Sequence, residues 1–178
     1  MLSDFLTSVK KQFSQYKLMG EKTIDQLSEE NLFWQYNDQS NSIAVIVQHL
    51  WGNMLSRWTN FLTEDGEKPW RERDAEFEKV IKTKEELVAK WHAGWECLLT
   101  TLDTLTDEDL GKTIYIRTEP LMVIDAINRQ LAHYCSHVGQ IVYLGKMLAG
   151  DQWKTLSIAK GNSKAFNDKM NADFSGRK

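Results

Sequence analysis

The sequence predicts an all-α protein, a bundle of four long helices. Apolar residues recur at three- and four-residue steps through four long stretches, the spacing that gives a helix one buried face. Residues that favour helix starts and helix breaks separate these stretches. No run reaches the roughly 18 consecutive apolar residues of a membrane-spanning helix. The four helices are therefore expected to bury their apolar faces against one another.

The first two helices are expected over residues 3–27 and 42–62. The apolar face of the first consists of Leu2, Phe5, Leu6, Val9, Phe13, Tyr16, Met19 and Ile24. Asn41 or Ser42 can cap the second, because their side chains accept hydrogen bonds from the free N–H groups of a first helical turn.

A polar, charged segment over residues 63–82 follows the second helix. It is long for a connection in a helical bundle. A connection of this length can carry the chain along a whole helix, so the third helix need not be antiparallel to the second. Trp70 and Phe77 are expected to anchor the segment.

The third helix is expected to begin at Thr83, where Glu86 completes a capping-box pattern. The fourth is expected to begin near Pro120, because proline suits the first turn of a helix, and to end near Leu148. Residues 113–117 are β-branched and alternating, but they have no clear partner strand and are interpreted as a connection.

One domain is expected over residues 1–165, followed by a polar C-terminal tail over residues 166–178. Trp153 and Leu156 are expected to pack on the helices just before this tail. The tail itself is expected to be only partly ordered, with its last residues loose.

The net charge and the cysteine content limit which partners and which cellular compartment are expected. Lys and Arg number 22 and Asp and Glu number 25, so the net charge of −3 gives no basic footprint for nucleic acid. The N-terminus lacks the pattern of a signal peptide. Cys97 and Cys135 could pair, but free thiols in a reducing compartment are favoured. We expect a soluble cytoplasmic protein that binds a small molecule, with no nucleic-acid or membrane partner.

Three of the four histidines lie in strongly apolar helical runs. His133 and His137 are four residues apart and therefore share one helix face. His49 lies in the second helix. Buried polar rings are costly without partners, and one shared metal ion would satisfy all three. The alternative is three core histidines, each satisfied by a single hydrogen bond.

Two known types of metal site are excluded by the surrounding residues. Tyr134 follows His133, where the helix of a zinc metalloprotease carries its catalytic glutamate. No glutamate lies between Leu121 and Leu148, so the paired Glu-x-x-His motifs of a di-iron bundle are missing. What remains is a mononuclear site with three nitrogen ligands and an open coordination position. Such ligands suit zinc, nickel, iron or copper.

Four further residues are candidates for weaker roles. Arg57 lies two turns from His49 and could bind a substrate carboxylate or pair with an acidic surface residue. Gln140 could contact metal-bound water or a ligand ring, or could serve helix packing. His92 is expected to be a partly exposed histidine, and Cys135 a packed thiol.

The histidine pattern resembles that of a known family. His49-Leu50 is followed by Gly52-Asn53 and Arg57-Trp58, and the later run is His133-Tyr134-Cys135-Ser136-His137-Val138-Gly139-Gln140-Ile141. One helix-2 histidine plus an H-x-x-x-H-x-G-Q-I helix is similar to the DinB-like (YfiT-like) metalloenzyme superfamily. The segments over residues 65–71 and 153–157 resemble a Bacillus-type branch, and the likeness covers roughly residues 1–165.

This resemblance implies a four-helix bundle with up-down-down-up connections. It also implies that His49, His133 and His137 bind a divalent metal, with zinc or nickel favoured, and that the protein forms a homodimer. Several relatives are S-transferases or isomerases that use low-molecular-weight thiols such as mycothiol or bacillithiol. Two function classes stay open, because a fold does not set a reaction. One is a metal-dependent enzyme, either such a transferase or a hydrolase, and the other is a non-catalytic metal-binding or stress-response protein.

Overall fold

The computed structural model describes residues 3–78 and 81–175. The described chain is mostly helical, with one small two-stranded sheet. Its α-helices are α1 (Ser3–Ile24), α2 (Glu29–Phe33), α3 (Ile43–Trp58), α4 (Lys84–Thr104), α5 (Val123–Ala149) and α6 (Ser163–Phe174). The strands are β1 (Thr113–Ile116) and β2 (Glu119–Met122), and short 3₁₀ turns occupy Asp74–Phe77, Asp107–Gly111 and Gly150–Gln152. The predicted predominance of helix is confirmed.

Polar side chains cap the starts of α3 and α4 as the sequence predicts. The Ser42 hydroxyl accepts a hydrogen bond from the Val45 N–H at 3.3 Å, and the Thr83 hydroxyl accepts one from the Glu86 N–H at 3.2 Å. Each bond satisfies one of the N–H groups that a first helical turn leaves free. Helix α3 ends at Trp58, earlier than predicted, because Thr59 has an extended backbone with a ψ of 125° and Asn60 has a φ of 50°.

The four long helices meet at one aromatic cluster in the core. Phe13 of α1 lies 6.2 Å from Trp58 of α3, 6.4 Å from Trp95 of α4 and 6.0 Å from Tyr134 of α5, measured between ring centroids. All four rings are almost completely buried. Helix α3 packs on α4 and α5, and α1 packs on α5 and α4. The up-down-down-up order of helix directions remains a prediction.

The segment interpreted as a connection is a strand, and that prediction was wrong. Thr113–Ile116 pairs antiparallel with Glu119–Met122, with Ile114 opposite Leu121 and Tyr115 opposite Pro120. Pro120 therefore does not begin the fourth long helix, α5, which starts at Val123. A proline is tolerated here because the hairpin has only edge strands.

The turn of this hairpin lacks the usual sequence signal. Arg117 and Thr118 have φ values of 55° and 63°, the left-handed conformation that two-residue hairpin turns require. Asn-Gly is the common choice for such turns. Here the Asp65 carboxylate accepts hydrogen bonds from both backbone N–H groups at 2.8 Å, so a distant residue stabilises the conformation.

The C-terminal segment forms a helix that is exposed along its length. Helix α6 spans Ser163–Phe174, so the predicted domain boundary at residue 165 falls within it. Trp153 and Leu156 are half-buried. Residues 176–178 of the predicted tail lie outside the described residues. Among the described helices, none has a stretch sufficiently long and apolar to span a bilayer.

Candidate metal centre

The structure brings the three predicted histidines together. His49 projects from α3, and His133 and His137 project from neighbouring turns of α5. The Nε2 atom of His133 lies 3.3 Å from that of His49 and 3.1 Å from that of His137. Ligand atoms of all three lie within 4.8 Å of one another. One ion could therefore contact all three rings.

Two of the rings are oriented by hydrogen bonds on their far side. The Nδ1 atom of His49 lies 2.9 Å from Glu76 Oε2, and the Nδ1 atom of His137 lies 3.1 Å from Gln140 Oε1. A carboxylate and an amide oxygen can only accept, so each Nδ1 carries the proton and each Nε2 presents a lone pair. Outer partners of this kind orient metal-binding histidines and fix their tautomer.

The donor set fits a cation at the point where the nitrogens converge. The Nε2 atoms of His49 and His137 both present lone pairs. Neutral His133 carries only one N–H, so it can donate a hydrogen bond to at most one of them. Burial, together with the neighbouring His137 and His49, lowers the pKa of His133 to about 3. Burial also lowers the pKa of His137. The two rings on α5 are therefore held neutral, the form in which imidazole binds a metal ion.

Glu76 is the buried acid that holds His49. Burial alone would raise its pKa, but hydrogen bonds from His49 and Arg71 and the charge of Arg71 outweigh that effect and lower it. Gly52, one turn after His49 on α3, makes room for this carboxylate. A Cβ atom at position 52 would overlap Glu76 Oε1.

Aromatic residues complete the walls around the histidines. The ring of Phe77 stacks on His49 with centroids 5.0 Å apart. The Tyr134 hydroxyl accepts a hydrogen bond from Trp58 Nε1 at 3.0 Å and donates one to Asn53 Oδ1 at 2.9 Å. Burial raises the pKa of Tyr134. Tyr134 therefore holds Asn53 in place and does not supply a base.

The histidines open into a cavity of about 350 Å³. Its lining residues are His49, Asn53, Arg57, Arg71, Arg73, Phe77, Arg117, Arg129, Gln130, His133 and His137. No aspartate or glutamate of the described chain is among them. The charged side chains that line the cavity are therefore all arginines, and the cavity can accommodate a small molecule beside the three Nε2 atoms.

The weaker candidates occupy different positions around this cavity. Arg57 lines it, but both terminal nitrogens of its guanidinium also donate to Glu67 Oε2 at 3.1 Å. Gln140 contacts the ring of His137. His92 is about half exposed and lies 3.4 Å from Glu21, away from the histidine cluster. Substrate binding by Arg57 and Gln140 remains a prediction.

Sequence reasoning missed several residues that build the site. Arg71 and Glu76 belong to the charged run after α3, and such runs are usually solvated. Nothing in the run itself marks these two as buried. Gln130 precedes His133 by three residues, so helix spacing alone could have placed it on the same face. Phe77 was expected to be an anchor and contacts His49, while Trp70 is 54% exposed and is not buried as an anchor.

Comparison with known protein families identifies a family model that matches this chain. A family model described as "Protein of unknown function (DUF1572)" matches residues 1–162 and so covers most of the chain. No curated protein matches the sequence. The matched region contains the three histidines and every arginine that lines the cavity. The chain therefore belongs to the DUF1572 family of proteins of unknown function.

Proposed function

We propose that His49, His133 and His137 hold one divalent transition-metal ion and that the protein is a metal-dependent enzyme. The convergence of three Nε2 atoms at the wall of a cavity carries this proposal. We also propose that the chain belongs to the DinB-like superfamily and has its up-down-down-up bundle. The DUF1572 match alone does not establish that relationship.

The chain's own residues support a site with one open position. Three neutral imidazoles add no negative charge, so zinc or nickel held by them would retain its positive charge and lower the pKa of a bound thiol or water. Glu76 and Gln140 orient two rings, and Asn53 is held at the cavity wall by Tyr134. An anionic molecule is the ligand that this arrangement favours.

The reaction class we propose is S-transfer or isomerisation that depends on a low-molecular-weight thiol such as bacillithiol. A thiolate entering the cavity would be attracted by its arginines and by the ion. An accessible pocket lined by aromatic and cationic groups favours an enzyme over a non-catalytic or stress-response metal-binding protein. A metal-dependent hydrolase is the alternative within the same site.

Location and assembly are part of the same proposal. Cys97 and Cys135 are both free thiols, which agrees with a reducing compartment such as the cytoplasm. The homodimer implied by the family resemblance stays a prediction.

The first test measures metal content in purified variants. Replacing His49, His133 or His137 with Ala should lower bound metal well below one ion per chain, because two imidazoles leave a weaker site. His92→Ala is the matched control and should retain the metal of the parent protein. Full occupancy in His133→Ala would refute the ligand assignment.

The second test measures thiol binding by absorption spectroscopy. We expect the cobalt-substituted protein to show a new sulfur-to-metal charge-transfer band when a small thiol is added, because the open position favours an anionic sulfur ligand. The band should be missing in His137→Ala. Bound cobalt with no spectral response to thiols would refute the thiol-dependent reaction and favour the hydrolase.

A further inference from the structure

The arginines in the described part of the chain are concentrated at one place. The sequence contains six arginines, and Arg57, Arg71, Arg73, Arg117 and Arg129 all line the histidine cavity. The sixth, Arg177, lies outside the described residues. None of the lysines in residues 3–78 and 81–175 lines the cavity, although lysine is the more common cation in this sequence. Arginine differs from lysine in presenting a planar fork of donors that matches carboxylate and phosphate groups.

The carboxylates that pair with Arg57, Arg71 and Arg117 are not among the residues that line the cavity. Glu67 Oε2 accepts hydrogen bonds from Arg57 and from Arg117 Nε, the latter at 3.0 Å. Glu76 accepts two from Arg71. These bonds hold the guanidinium groups in fixed positions, so a ligand that binds them loses little side-chain freedom.

Arg71 has a buried donor atom with no hydrogen-bond partner in the described part of the chain. Its side chain is only 2% exposed. Its Nε and Nη2 atoms donate to Glu76 at 2.7 and 2.9 Å, but its Nη1 atom has no hydrogen-bond partner. The Glu67 carboxylate lies 3.6 Å from Nη1, beyond hydrogen-bond distance. A buried donor without an acceptor is costly, and an anion in the cavity would satisfy it.

Gln130 is a second lining residue of the cavity that has an unpartnered buried atom. It is 4% exposed and lies one turn before His133 on α5. Its Oε1 atom has no hydrogen-bond donor among the described residues. Because an amide oxygen can only accept, the group that satisfies it must carry an O–H or N–H. A ligand that satisfies both residues therefore needs an anionic acceptor for Arg71 and an O–H or N–H donor for Gln130.

We propose that the cavity binds a small oxyanion whose charged group is held by Arg71 Nη1 and whose neighbouring hydroxyl or amine donates to Gln130 Oε1. A hydroxycarboxylate is the simplest molecule with both features, and a phosphate ester with a free hydroxyl shares the chemistry. The suggestion that this ligand is the substrate rests on the proposed metal-dependent function. The suggestion that Arg71 and Gln130 bind it does not depend on that function.

Calorimetric titration of the full-length, metal-loaded protein tests the ligand class. The probes are L-malate, succinate, succinamide and inorganic phosphate. L-malate should bind more tightly than succinate, which lacks the hydroxyl, and neutral succinamide should not bind. Phosphate binding tighter than malate binding would assign the oxyanion as a phosphate. Equal binding of succinamide and succinate would overturn the proposal.

Two variants test the two residues separately. Arg71→Lys keeps the charge and can still pair with Glu76, but it loses the free edge of the guanidinium, so malate affinity should fall about tenfold or more. Gln130→Met should weaken malate binding and leave succinate binding unchanged. Arg129→Lys is the matched control at a half-exposed position, where solvent screens the charge, and its loss should be smaller. An equal loss in Arg129→Lys would overturn Arg71 as the anchor.

Metal content measured on the same samples separates this proposal from the proposed function. One ion per chain without anion binding would overturn the oxyanion site and leave the metal site standing. Malate binding that survives in metal-free His133→Ala and is lost in Arg71→Lys would support the oxyanion site even if no metal role were found. Binding lost in His133→Ala but unchanged in Arg71→Lys would show a simple metal ligand and overturn the proposal.

Discussion

The imidazole of His49 is held by two contacts of different kinds. Glu76 accepts its Nδ1 proton, and Phe77 stacks on its face. Both partners come from one 3₁₀ turn, Asp74–Phe77, so a single short element orients the ring. The Glu76 carboxylate reaches this position only because residue 52 has no side chain.

Gly52→Ala tests this dependence. The new Cβ would displace the Glu76 carboxylate, so we expect metal affinity to fall roughly 10- to 100-fold, the usual effect of losing an outer partner of a ligand histidine. Titration with zinc against a chromogenic competitor would measure it. Gly139→Ala on α5 is the control, because a Cβ there meets no atom within 4 Å. An unchanged affinity in Gly52→Ala would contradict the role assigned to Glu76.

At the scale of elements, the segment after α3 is tied to the hairpin. Asp65 accepts hydrogen bonds from the backbone N–H groups of Glu67, Arg117 and Thr118 at 2.7 to 2.8 Å. The Gly66 N–H donates to the Tyr115 carbonyl at 2.8 Å. This junction brings residues from two distant parts of the chain to one side of the cavity.

Asp65→Ala should lower the free energy of unfolding by about 1–3 kcal/mol, because three backbone donors lose their acceptor. Burial alone would raise the pKa of Asp65, but these backbone hydrogen bonds outweigh it and lower the pKa below its usual 3.8. A carboxyl group whose pKa is lower in the folded than in the unfolded protein stabilises the fold at pH values above its unfolded pKa. This contribution is lost as the pH falls through the pKa of the folded protein. The difference between variant and parent should therefore be full at pH 7 and shrink below about pH 4.

Urea unfolding of the two proteins across this pH range would measure the difference. Glu119→Ala is a suitable control, since it removes an exposed carboxylate whose nearest arginine is 3.5 Å away. A difference that stayed constant down to pH 2 would contradict the assignment to the Asp65 carboxylate.

At the scale of the whole molecule, the core does not depend on the histidine cluster. One aromatic residue from each long helix meets in the buried centre, namely Phe13, Trp58, Trp95 and Tyr134. The apolar surface buried by such a core supplies the main driving force for folding. The histidine cluster joins only α3 and α5 at the edge of this core.

Chelation of the purified protein should therefore leave most of its helical circular dichroism intact. The melting temperature should fall nonetheless, because an ion that binds only the native state stabilises it by mass action. Circular dichroism and a thermal melt with and without chelator would measure both effects. Loss of the helical signal at 25 °C would contradict this prediction and assign the site a structural role, as in a zinc finger.

Features that depend on neighbouring residues could be predicted from the sequence. The caps at Ser42 and Thr83 were predicted because a capping side chain bonds an N–H three residues away. The pairing of His133 with His137 was predicted for a similar reason, since residues four apart share a helix face. His49 was added because a buried imidazole needs a partner.

Other features were decided only by the tertiary structure. Glu76 meets His49 from 27 positions away, and Asp65 bonds Thr118 from 53 positions away. The hairpin was missed because Asp65, and not an Asn-Gly pair, holds its turn. No local pattern distinguishes an arginine that lines a cavity from one that lies in solvent. By itself the sequence determined the four long helices and the histidine pattern, because short-range hydrogen bonding and helical spacing set them. Packing of distant segments decided the hairpin, the buried acid and the arginine-lined cavity, because those contacts exist only once the chain has folded.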